Sequence, residues 1–151
     1  MMENMYWTFS KKRYADVDEF TSDLKKYRED LIQRGASEAA FAPEEKVVEG
    51  AEVNLVYEAW IASKDDLLEN ETLCEDDEDL DEDEKEDGMW QVEIVAHLRA
   101  DDGSCFTAAE LLMKAHNQQA NKELGDHVFF EGFEDTDRID GAPSYYIICG
   151  S

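Results

Sequence analysis

Apolar residues recur at every second position in three stretches of this chain and at helical spacing in two others. Met5, Trp7 and Phe9 alternate with polar neighbours, the pattern of a half-buried strand. A helix is predicted next. Asp16 stands at its N-cap position, Asp18 and Glu19 complement the positive end of the dipole, and Val17, Phe20, Leu24, Tyr27 and Leu31 form an apolar stripe that stops before Gly35. Val53, Leu55, Tyr57, Ala59 and Ile61 then alternate along a long strand, with Lys46 to Glu49 as a short partner ahead of Gly50. The other face of that strand carries Asn54, Val56, Glu58 and Trp60, a mixture that predicts partial cover or a surface on which Trp60 meets a partner.

The clearest alternation falls in the second half. Trp90, Val92, Ile94, Ala96 and Leu98 point one way, and Gln91, Glu93, Val95, His97 and Arg99 point the other. Thr107 and Glu110 have capping-box spacing, and Phe106 with Leu111 has the spacing of a hydrophobic staple, so a second helix starts here. Leu111, Leu112, Ala115 and Leu124 supply its buried stripe, with Gly125 as a left-handed stop. Residues 128–133 and 145–149 read as closing strands around a polar turn containing Asp140, Gly141 and Pro143.

The two halves thus follow similar strand–helix–strand orders. The expected fold is a single α+β domain over residues 1–151, a mostly antiparallel sheet of five to six strands with two helices on one face, related to the split βαβ plan. Between the halves, residues 65–87 hold fifteen carboxylates against the single base Lys85. Glu75, Asp76, Asp77, Glu78, Asp79, Asp81, Glu82 and Asp83 form its densest part. A block with so little apolar surface does not offset its ordering entropy, which predicts a flexible acidic insertion.

Charge narrows the function classes. Thirty-nine acids against fourteen bases give a net charge of −25 in 151 residues. A field of that sign opposes direct nucleic-acid binding and anionic membrane surfaces, and it favours encounter with a basic protein. The three cysteines, Cys74, Cys105 and Cys149, form no C-x-x-C pair, which suits reduced thiols in a cytoplasmic compartment. No signal-like segment opens the sequence, and no apolar run approaches the ~20 residues of a membrane span.

Catalytic and metal signatures are weak. Asp79, Asp81 and Asp83 have the alternate spacing of an EF-hand, but Glu84 stands where the loop needs Gly and Trp90 where it needs Glu. No P-loop, Rossmann fingerprint, G-x-S-x-G or H-E-x-x-H occurs, and no cofactor or metal is implied. Ser104 and Cys105 precede a helix N-terminus, a setting able to activate a thiol, although a small connecting residue accounts for Cys105 equally well. His116 has the spacing of a packing histidine.

Asp126, His127, Phe129 and Glu131 cluster before and within a strand, with Phe129 as an aromatic on a polar face. Three readings follow. The first is a non-enzymatic module, of the inhibitor or immunity-protein kind, that neutralises a basic partner such as a nuclease. The second is a small-molecule or peptide-binding regulator using Glu58, Trp60, Glu93 and His97, if the two long strands are neighbours. The third is an enzyme with its site at Asp126, His127 and Glu131.

Overall fold

The computed structural model describes residues 1–38, 40–74 and 82–150. In chain order the elements are helix α1 (Val17–Gln33), strands β1 (Lys46–Glu49), β2 (Glu52–Ile61), β3 (Glu71–Leu73), β4 (Trp90–Arg99) and β5 (Cys105–Thr107), helix α2 (Ala108–Gln119), and strands β6 (Phe129–Ile139) and β7 (Ala142–Gly150). Five strands form one sheet in the order β3-β4-β2-β7-β6, and β1 with β5 makes a two-stranded ribbon. Every pair is antiparallel except β2 with β7. The class is α+β, as the sequence predicts.

The two long strands are neighbours in full register, from Glu52 opposite Arg99 to Ile61 opposite Trp90. Their inner residues Val53, Leu55, Tyr57, Ile94 and Ala96 join Phe20 and Leu24 of α1 and Leu111, Leu112 and Ala115 of α2 in one buried cluster. Both helices therefore bury their apolar residues against the same face.

Each helix starts where its cap chemistry lies. Asp16 accepts from the backbone N–H groups of Asp18 and Glu19, and the chain leaves α1 through Gly35 at φ +106°. The first amides of α2 are satisfied by the carbonyls of Glu45 and Pro43 and by Thr107 Oγ1. Only half of the expected capping box forms, because the Glu110 carboxylate turns to Asp101 N and Lys114 Nζ. α2 is buried on nearly all sides rather than along one stripe. It ends at Gln119, and the predicted Leu124 and Gly125 lie beyond it.

Several expectations need correction. The Met5–Phe9 stretch is an extended strap rather than a strand. It makes one bridge, Thr8 to Phe129, while Met5, Trp7 and Phe9 are buried in the core. β1 pairs with β5 and not with β2, which lets Val48 and Phe106 bury each other at one end of the core. β6 runs on through Glu134 and Asp137 to a two-residue turn at Asp140 and Gly141, both at positive φ, so Pro143 falls within β7.

The acidic stretch at 65–87 is not one mobile insertion throughout. Its first part carries β3, paired with β4 from Glu71 opposite Ala96 to Leu73 opposite Ile94. Glu71 explains why: its carboxylate is fully buried and accepts from Lys122 Nζ at 2.7 Å, from the Tyr57 hydroxyl and from Leu68 N. Glu82 and Asp83 lie in a short exposed 3-10 turn. Glu75, Asp76, Asp77, Glu78, Asp79 and Asp81 lie outside the described residues.

Candidate functional site: a crevice where two parallel strands part

β2 and β7 are in register for three residues only, Asn54 with Ser144 to Val56 with Tyr146. Beyond Val56 they separate. The edge of β2 that β7 leaves is taken by the loop after α2, with Trp60 N donating to Glu123 O at 2.7 Å and Glu123 N donating to Trp60 O at 3.3 Å. A crevice of about 290 Å³ opens between the parting strands. Splayed neighbouring strands expose backbone and side chains at their carboxyl ends, a common origin of ligand sites in open sheets.

Its outer wall comes from the sheet face that the helices leave uncovered: Glu58 and Trp60 of β2, Gln91 and Glu93 of β4, Tyr146 and Ile148 of β7. Its floor is apolar, with Ala59, Ile147 and Leu124. Glu58 and Glu93 are directly opposite each other across the β2–β4 ladder. Like charges in that relation repel and cost a few tenths of a kcal/mol up to about 1 kcal/mol. Tyr146 lies beside Glu93, and that carboxylate, followed by burial, raises the phenol's pKa above its ordinary value. Burial, reinforced by Glu131, pushes the Cys149 thiol up to about 12, so this wall residue stays protonated at neutral pH.

Three other carboxylates of the fold are each paired with a cation of the chain. Glu71 has Lys122, Glu110 has Lys114 at 3.0 Å, and Glu52 has Arg99 at 3.5 Å. Among the described residues, neither Glu58 nor Glu93 has a lysine or arginine within ion-pair distance.

The structure divides the residues singled out by sequence. Trp60, Glu93 and His127 line the crevice. His97 shares the outer face but is held elsewhere, its Nδ1 2.9 Å from Asn54 Oδ1 and its Nε2 3.4 Å from Glu52. Asp126 and His127 approach to 3.5 Å, both largely exposed. Phe129 is 46% exposed at the head of β6, so it is not covered by a loop. Glu131 is exposed on the same side of β6 as Phe129, with Phe130 buried between them, and stands at the irregularity between Phe130 and Gly132. Its carboxylate covers Gly150, the cross-strand partner of Phe129.

His116 is fully buried, accepting from Trp7 Nε1 at Nδ1 and donating from Nε2 to Lys12 O. Cys105 Sγ lies 3.5 Å from Asp102 Oδ2, inside a turn capped by that carboxylate. Among the described residues no group of three His, Cys, Asp or Glu side chains is placed to hold a metal ion. Sequence reasoning overlooked Tyr146 and the Lys122–Glu71 pair. Tyr146 lay hidden in a strand whose parallel neighbour alternation does not reveal, and Glu71 was masked by the acids around it.

What the crevice offers chemically is two opposed carboxylates, two aromatic side chains and an apolar floor, which together suit a cationic group on an aliphatic stem. Compared with family models, with curated proteins and with solved structures, the chain matches none.

Proposed function

We propose that the protein is a non-enzymatic binding module that takes a basic partner protein onto the outer face of its sheet, in the manner of an inhibitor or immunity protein that neutralises a nuclease. The observation that carries this reading is the opposition of Glu58 and Glu93 on a face that neither helix covers, within a chain of net charge −25. Carboxylates so placed occupy positions where a basic groove expects phosphates, and the surrounding field steers the encounter. Three cysteines without a C-x-x-C spacing support a reducing, cytoplasmic setting. No helix among the described residues is long and apolar enough to cross a membrane.

The test is retention of basic proteins from lysate by the full chain and by two charge-reversed variants. Glu58→Lys/Glu93→Lys alters the outer face, and Glu29→Lys/Glu44→Lys makes the same charge change on the helix side. A basic protein held by the parent chain and the second variant but lost by the first supports the reading. Equal retention by all three, or none by the parent, overturns it. A second reading, a small-molecule or peptide-binding regulator, is favoured by the crevice beside Trp60.

A further inference from the structure

We infer that the crevice between β2 and β7 is a socket for one guanidinium group, the arginine side chain through which a basic partner is recognised; the inference rests on the docking proposed above. Glu71, Glu110 and Glu52 are each supplied with a cation by the chain itself, whereas Glu58 and Glu93 face each other with none among the described residues. Glu58 is exposed and Glu93 half-buried, so a cation entering the crevice meets both carboxylates.

The rest of the crevice selects the form of that charge. A guanidinium is planar, presents donors in a fork that matches carboxylates, and stacks on aromatic faces better than an ammonium does. Trp60 and Tyr146 bring aromatic surface to the same space as the two carboxylates. Ile148 and Leu124 provide apolar wall for the three methylenes of an arginine stem. Gln91 adds a side-chain carbonyl able to accept a further N–H. The crevice, at about 290 Å³, is of side-chain scale rather than cofactor scale.

The experiment titrates the full isotopically labelled chain with N-acetyl-arginine amide, N-acetyl-lysine amide and the uncharged N-acetyl-citrulline amide. The readouts are the Trp60 indole and the Tyr146 and Ile148 amide resonances. The arginine probe is expected to shift these saturably, the lysine probe more weakly, and the citrulline probe not at all. Glu93→Gln and Glu58→Gln should each weaken the arginine probe by about tenfold, the effect of losing one charge-assisted hydrogen bond.

Because both variants relieve a repulsion, their thermal midpoints should not fall, which separates lost binding from lost folding. Shifts that are equal for arginine and citrulline, or absent for arginine at millimolar probe, overturn the socket. They would leave the charge-reversal result for the whole face standing. A saturable arginine response without retention of any basic protein would keep the socket, as a site for a free guanidinium compound, and overturn the docking.

Discussion

At the scale of single residues, the buried polar groups are committed to structure. His116 has both ring nitrogens satisfied within a cage that includes Trp7, Phe9, Tyr14 and Phe20, and burial lowers its pKa below the ordinary 6.5. The unfolded chain therefore binds a proton on this residue before the folded chain does. Stability is independent of this group above about pH 6.5 and declines as the pH falls below that value. Urea unfolding should show a midpoint that is level from pH 8 to pH 6.5 and drops towards pH 5; a level midpoint down to pH 5 would contradict it. Glu58 makes the opposite case. Glu58→Gln removes one half of a like-charged cross-strand pair and should raise stability by a few tenths of a kcal/mol at low salt, measured by thermal melting.

At the scale of elements, β3 is the strand most dependent on one interaction. It contributes three residues to the edge of the sheet, and its anchor is the fully buried Glu71–Lys122 pair with the Tyr57 hydroxyl. Burial and the Glu71 carboxylate raise the Tyr57 pKa, so this phenol remains a donor. Lys122 Nζ also donates to Gln118 O and Asn121 Oδ1, tying β3 to the end of α2. Lys122→Met should cost about 3–5 kcal/mol, because it strands a buried carboxylate rather than replacing the whole pair. Hydrogen exchange should show where the loss falls: the amides of Cys74 and His97, bonded to Glu93 O and Asn70 O, should open ahead of those in the β2–β4 ladder. Uniform acceleration of both sets would show that β3 is not a separate unit.

At the scale of the whole molecule, the charge acts as a field. With 39 acids against 14 bases, association with a basic protein should be fast at low ionic strength and slow steeply as salt shortens the screening length to about 10 Å at 0.1 M. Dissociation should respond far less, since it depends on the contacts in the bound state. Stopped-flow association across a salt series checks this, and a salt-independent association rate would remove the steering role. The acidic stretch belongs to the same argument. Its described first part carries β3, the edge strand beside β4 in the sheet whose outer face holds Glu58 and Glu93.

Local pattern alone determined the α+β class, the caps at Asp16 and Thr107, the inner faces of the two long strands and the mixed outer face with Trp60. Each of these depends on residues close in sequence, where alternation, helical spacing and cap chemistry act directly. Tertiary structure decided what depends on distant pairing. It placed β7 parallel to β2 and parted them to make the crevice, brought Tyr146 beside Glu93, gave β1 to β5, and drew Glu71 out of an acidic run to meet Lys122 fifty-one residues away. A carboxylate's sequence neighbours describe its charge, but the cation that neutralises it, or its absence, is set by which strands lie side by side.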